Sequence, residues 1–167
     1  MIDKEFWKKR YNKGQWEDGA RRSNTIIDLI RSWGFECEEY GFLATSTEYV
    51  KESPKERGKP DWKIKINENK SILLETTGTK QARGKNDVWI RNDKFEFAEN
   101  HIDLECWAGH IIEDIRLIRF LKLEGKDRFP LEEREIRRTI EHFRIIPDGD
   151  SSLISQNDFK EYIESLR

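Results

Sequence analysis

Cysteine is almost missing from this chain, and its scarcity removes whole classes of function. Cys37 and Cys106 are the only cysteines, too few for a disulfide framework and without the CxxC spacing of a zinc site. Both read as small buried hydrophobes. Histidine is nearly as rare, and His101, His110 and His142 share no HxxxH spacing, so they read as packed or exposed residues and not as metal ligands. The sequence has no phosphate-binding P-loop and no serine in a nucleophile-elbow context. It also lacks an apolar run of the roughly 20 residues that a bilayer demands. The N-terminus mixes acid with base, unlike a signal peptide. These absences lead to the expectation of an intracellular, cytoplasmic protein. Neither sign of charge prevails: 31 Lys and Arg face 33 Asp and Glu, a net −2. No global positive field announces nucleic acid, so any surface for it has to be a local basic patch.

What is present argues for a single folded unit. The 167 residues suit one domain with one sizeable core. Six tryptophans and nine phenylalanines are incompatible with a disordered chain.

The stretch from Pro60 to Lys80 organises the rest. Asp61-Trp62-Lys63-Ile64-Lys65-Ile66 alternates apolar residues at 62, 64 and 66, the period of a strand. Ser71-Ile72-Leu73-Leu74-Glu75-Thr76-Thr77 is a second strand, and Asn67-Glu68-Asn69-Lys70 is turn chemistry. A slip of one residue would turn every side chain over, so matching Ile64 and Ile66 with Ile72 and Leu74 requires a three- or five-residue loop. Either choice puts Asp61, Glu75 and Thr77 on one face at one end of the hairpin. Directly opposed residues have Cβ atoms roughly 5 Å apart, where two carboxylates repel unless a cation or proton sits between them. A hard cation such as Mg²⁺ or Mn²⁺ resolves that repulsion.

Upstream, Asp3 is predicted to cap a short helix over residues 4–11 that Gly14 ends, with Trp7 and Trp16 as packing residues. Ile26, Ile27, Ile30 and Trp33 predict an amphipathic helix over 20–33 with Gly34 just past its end. Arg21 and Arg22 would then occupy its first turn, against the helix dipole. Residues 35–43 read as a strand. One of Glu36, Glu38 and Glu39, or Asp28, is a candidate third metal ligand, with nothing to choose between them. The polar run leading into Asp61 carries Lys51, Lys55, Arg57 and Lys59 and is the best candidate for a loop that grips a nucleic-acid strand.

Downstream, Gly78 to Lys85 sets Lys80, Gln81, Arg83 and Lys85 between glycines, suiting a mobile loop that faces phosphates. Asn92 is predicted as the N-cap of a helix to about residue 100, with Lys94, Phe97, Ala98 and His101 on one face. A lysine there needs an anionic partner. Strands follow over 104–112 and 115–123. Residues 131–143 are predicted as a charged helix packed through Ile136, Ile140 and Phe143. A last helix is capped by Ser155 with Asp158 in the reciprocal position. Asp148-Gly149-Asp150 is not a calcium loop, because Phe159 stands where a bidentate glutamate is required.

Pro60-Asp61 followed by a strand ending Glu75-Thr76-Thr77 resembles the PD-(D/E)xK pattern of restriction-endonuclease-like nucleases. The lysine of that pattern is Thr77 here. Some branches are similar to this chain in reading E-x-T-G followed by a W-I-R-x-D-K helix start, here Trp89-Ile90-Arg91-Asn92-Asp93-Lys94. In those branches the lysine is thought to come from the helix. The resemblance covers residues 20–123. It implies an α/β (α+β) fold, the αβββαβ core with a mixed central sheet flanked by helices, to which a C-terminal helical extension over about 130–167 is added.

The resemblance also implies a Mg²⁺- or Mn²⁺-dependent endonuclease, with DNA as partner and a homodimer to cut two strands. Asp61 and Glu75 would hold the metal, with the Thr76 carbonyl as a further oxygen. Lys94 is the first choice for the catalytic cation and Lys80 the second; Thr77, which cannot supply the charge, Gln81 as a substrate contact and Glu39 as a third metal ligand are further site candidates. Lys55, Arg57, Lys59, Lys80, Arg83 and Lys85 would contact nucleic acid. The alternatives are a catalytically inactive nucleic-acid-binding or assembly domain of the same fold, and a purely structural interaction protein.

Overall fold

The computed structural model describes residues 13–41, 57–136 and 138–167. The helix expected over 4–11 and the run through Lys51 and Lys55 lie outside them. Helix α1 (Lys13–Ser32) is followed by strands β1 (Glu36–Glu39), β2 (Trp62–Asn67), β3 (Lys70–Thr79) and β4 (Val88–Arg91). Then come α2 (Asn92–Asn100), β5 (Glu105–Ile112), β6 (Leu117–Lys122), a 3₁₀ turn (Lys126–Arg128), β7 (Leu131–Ile136), β8 (Thr139–Ile146), β9 (Leu153–Ser155) and α3 (Gln156–Ser165). A six-stranded sheet runs β1-β2-β3-β5-β6-β9, and a three-stranded one runs β4-β8-β7. Among the described residues only β3 and β5 pair in parallel within the central sheet; its other neighbours are antiparallel. A parallel pair needs a crossover connection, and β4 with α2 supplies it. The expected mixed sheet flanked by helices is therefore what the chain forms.

The alternation of β2 and β3 decides which layer each side chain enters. Trp62, Ile64, Ile72 and Leu74 join Ile26, Ile27 and Ile30 of α1 and Phe159 and Ile163 of α3 in one core. There Phe120 stacks on Phe159 at 4.0 Å between centroids. Leu73, Cys106, Ala108 and Leu121 point the other way, onto Phe95 and Phe97 of α2 and Val88, Ile90 and Ile146 of the small sheet. Each buried side chain of this size contributes roughly 1.5–3 kcal/mol. Gly34 has φ 91° and closes α1 as predicted. Ser155 accepts from the Asp158 amide at the start of α3, also as predicted.

Several expectations are corrected. Residues 131–143 form no helix: Leu131–Ile136 and Thr139–Ile146 are two strands joined by a tight turn, with Arg138 at φ 68°. The helical spacing of Ile136 and Ile140 carries no burial, since they are 40% and 63% exposed. What orders the segment is pairing of β8 with β4, Val88 against Ile146. The C-terminal region thus holds one helix, not two. Trp89-Ile90-Arg91 is a strand instead of a helix start, and α2 begins at Asn92, with Arg91 in the N-cap position. The Asn92 side chain instead bonds Glu96 and Arg144. Gly14 ends nothing, because α1 runs through it. Starting at Lys13, α1 also places Arg21 and Arg22 beyond its second turn, so the dipole argument lapses and Glu113 pairs with both. The first strand stops at Glu39, and Ile115 lies in an exposed turn before β6.

Gly78, just past Glu75-Thr76-Thr77, marks a point of close approach. A Cβ there would lie 2.4 Å from the Ile111 carbonyl oxygen and 2.9 Å from Arg22 Cδ. Gly78→Ala is expected to lower unfolding stability by about 1–3 kcal/mol through this overlap, measured as a shift of the urea midpoint. An unchanged midpoint would show that β3 and β5 can part freely.

Candidate active site

The catalytic candidates assemble from three consecutive pieces of chain. Trp62 opposes Leu74 in the β2–β3 ladder, which brings Asp61, one residue earlier, against Glu75. The register is the one with Ile64 opposite Ile72, closed by a bulge at Lys65–Asn67. Asp61 is held by the Thr76 amide at 3.3 Å and the Thr76 hydroxyl at 3.1 Å, both on Oδ2. Thr76 Oγ1 and Ser23 Oγ are 2.9 Å apart, and Trp62 Nε1 donates to Ser23 Oγ at 2.8 Å. A threonine hydroxyl has one proton, and a carboxylate accepts. The chain of donors therefore runs from the Trp62 indole through Ser23 and Thr76 to Asp61. Sequence reasoning missed Ser23, although it lies on the face of α1 that turns Ile26, Ile27 and Ile30 inward.

Helix α2 delivers the cation. Lys94 Nζ lies 2.7 Å from Glu75 Oε2, with the two side chains only 13% and 12% exposed. Nζ also donates to the Lys59 carbonyl at 3.0 Å. The Lys94–Glu75 approach does not have hydrogen-bond alignment, and Glu75 Oε2 is buried without a hydrogen-bond partner among the described residues. Burial, then the adjacent Asp61 carboxyl, push the Glu75 carboxyl well above the usual carboxylate range, against the pull of Lys94. Burial acts to lower the pKa of Lys94, but Glu75 and Asp61 outweigh it and hold the ammonium above its ordinary value. Lys94 is therefore charged at neutral pH.

Two neighbouring carboxylates beside one ammonium, with a buried Glu75 oxygen that makes no aligned hydrogen bond, form an all-oxygen donor set. That fits a hard divalent cation such as Mg²⁺ or Mn²⁺, which is commonly bound by one or two carboxylates and completes its shell with water. Among the described residues no group of three or more His, Cys, Asp or Glu side chains is placed to hold a metal ion. Glu39 pairs opposite Trp62, on the α1 face of the sheet and away from Glu75. Glu36 and Glu38 pair with Lys65 and Lys63, and Asp28 lies exposed beside Arg31.

The remaining candidates scatter. Thr77 shares the Glu75 face, opposite His110 of β5. Lys80 is not brought to the carboxylates; it is 69% exposed and 3.9 Å from Asp18. Gln81, Arg83 and Lys85 are exposed beyond the end of β3, and Arg57 is exposed too. Lys59 lies over the Tyr40 ring, 4.2 Å from its centroid.

No known protein family and no curated protein matches the sequence. Solved structures do. The fold is similar to that of Hjc, a Holliday junction resolvase of the archaeal hyperthermophile Archaeoglobus fulgidus, with a TM-score of 0.53 and 14% identity over 86% of this chain and 96% of that one. It is also similar to D212, a nuclease from a fusellovirus, with a TM-score of 0.51 and 12% identity over 88% of this chain and 92% of that one. The chain has the mixed α/β fold of these nucleases.

His110 lies on the same face, buried, with Nδ1 lacking a hydrogen-bond partner among the described residues. Burial, then Arg119 and Arg22, push its pKa down to about 4. The unfolded chain, with an ordinary histidine, takes up the proton first, so the native state is favoured above pH 6.5 and loses stability as pH falls towards 4. The loss is expected to be on the order of 3 kcal/mol. Urea unfolding at pH 7 and pH 4.5 should show a smaller pH dependence for His110→Asn than for wild type; equal dependence would place the titration elsewhere.

Proposed function

We propose that this protein is a divalent-metal-dependent nuclease that hydrolyses phosphodiester bonds in DNA. The observation that carries the reading is Lys94 reaching from α2 to within 2.7 Å of Glu75, beside Asp61. Two carboxylates and an ammonium are the groups that metal-assisted phosphodiester hydrolysis asks for, and a strand and a helix hold them. The fold likeness to two nucleases supports the same reading.

Each group has a role that its surroundings dictate. Asp61, fixed by the Thr76 amide and hydroxyl, and Glu75 would hold the ion, with the Thr76 carbonyl as a further oxygen. A divalent ion bound there supplies a polarised phosphoryl oxygen and a water of lowered pKa. Lys94 is charged, so it stabilises negative charge developing on the phosphate and does not abstract a proton. Thr77 provides no charge at the strand position two residues after Glu75; Lys94 provides it from the helix. A homodimer in the cytoplasm, one site per DNA strand, completes the proposal.

The test is cleavage of linear, circular and branched DNA, with RNA alongside, in Mg²⁺, Mn²⁺ or EDTA. Asp61→Ala and Glu75→Ala are expected to abolish cutting. Lys94→Ala should lower kcat roughly a hundredfold or more with little change in substrate affinity. Binding of DNA without cutting under any metal would overturn the catalytic reading in favour of a binding or assembly domain. Full activity of Lys94→Ala would move the cation elsewhere.

A further inference from the structure

Residues 80–87 leave β3 just past Glu75 and return into β4 just before Lys94, so this loop joins the two halves of the candidate site. Its glycines and cations suggest mobility, but side chains from the body of the protein tie it down at both ends. At the first end, the Ala82 amide donates to both carboxylate oxygens of Asp114 at 2.9 Å. The Asp114 and Glu113 amides return bonds to the carbonyls of Lys80 and Thr79. At the second end stands Arg119 of β6, only 8% exposed. Its guanidinium donates to Asp148 Oδ1 at 2.9 Å and to the Asn86 carbonyl at 2.7 Å. Asp148 Oδ2 in turn accepts from the Asn86 amide, and the Asp148 amide donates to Asp87. Between the two ends the Arg83 amide donates to Asn86 Oδ1 at 2.7 Å, closing a local turn.

The acids beneath the loop are largely committed. Arg119 neutralises Asp148, and Asp114 is engaged by a backbone amide. The cations above them are not: Arg83 and Lys85 are exposed and have no ion-pair partner among the described residues, while Lys80 has Asp18 at 3.9 Å. A loop rigid at its base, with two unpaired cations at its crest, is preorganised for an anion. Ordering it on binding would otherwise cost about 1–2 kcal/mol per residue. Strand β3 runs four residues past Glu75 before the loop begins, roughly 13 Å at the rise of an extended strand. That is too far for the phosphate being cut, but within reach of its neighbours along the backbone.

We propose that residues 80–87 form a preformed clamp for the phosphates flanking the cleavage point, with Arg83 and Lys85 as its contacts. Arg119, Asp148 and Asp114 are the positioning residues that hold it. The phosphate assignment rests on the nuclease reading above; the pinning does not.

Trypsin separates the two, because Arg83 and Lys85 are themselves cleavage points. In protein free of DNA, wild type should resist cutting after both, by mass spectrometry of the fragments. Asp114→Ala and Arg119→Gln should be cut there roughly tenfold faster, as local opening becomes easier. Asp114 is at the surface, so its variant decides the matter even if Arg119→Gln fails to fold. For DNA, the double variant Arg83→Gln with Lys85→Gln should bind more weakly. Its slope of log affinity against log salt should be shallower by about 2. Wild type cut as fast as Asp114→Ala would overturn the pinning. Wild-type DNA binding that the double variant retains, with the same salt slope, would overturn the phosphate assignment alone. Wild type that binds no DNA would overturn the nuclease reading and the phosphate assignment together, while the digestion still decides whether the loop is held.

Discussion

Two carboxylates pressed together in a nearly buried setting are the constraint around which this molecule is arranged. Asp61, just before β2, lies against Glu75 of β3, and burial, then the charge of Asp61, push the Glu75 carboxyl well above the usual carboxylate range. One ammonium, Lys94, offsets part of that charge from a different layer of the fold. Breaking such a group by removing a single partner leaves an uncompensated buried charge, typically a loss of about 3–5 kcal/mol. The layers on either side of the central sheet are thus coupled electrostatically as well as by packing. Sites that strain against their own stability in this way are expected where chemistry is done.

The hairpin could be read from the sequence because its physics is local. Period-2 alternation fixes parity, parity fixes the face of Asp61 and Glu75, and the observed register obeys it. Gly34 and Ser155 were legible for the same reason, since each cap depends on a handful of adjacent residues. The strand at Val88–Arg91 was not. Four residues leading into a helix carry too short a pattern, and this strand exists because β8, more than fifty residues later, lies beside it. Residues 131–143 failed for the complementary reason: a spacing of four can fit a helix face or alternate strand positions. Ile136 and Ile140 are exposed, so the pattern had no buried surface behind it.

The same division runs through the site. Lys94 could be singled out because a lysine on an apolar helix face demands an acidic partner, and it reaches Glu75. Ser23 could not, since its role depends on α1 crossing the sheet beside Thr76 and Trp62. Nor could Arg119 or Asp148, whose partners lie 29 residues and more away in sequence. The candidate third acids Glu39 and Asp28 fell away on geometry: one is on the wrong face and the other out in solvent.

The hairpin of β7 and β8 has a consequence at the scale of many molecules. Strand β7 is an outer edge of its sheet, and every one of its residues is exposed. An edge of that kind is a template on which another chain can stack by backbone hydrogen bonds. Leu131-Glu132-Glu133-Arg134-Glu135-Ile136 places three carboxylates along it. Growth by addition of an identical edge would bring like charges together across the seam, which is destabilising. The acidic strand thereby resists growth from its own open edge.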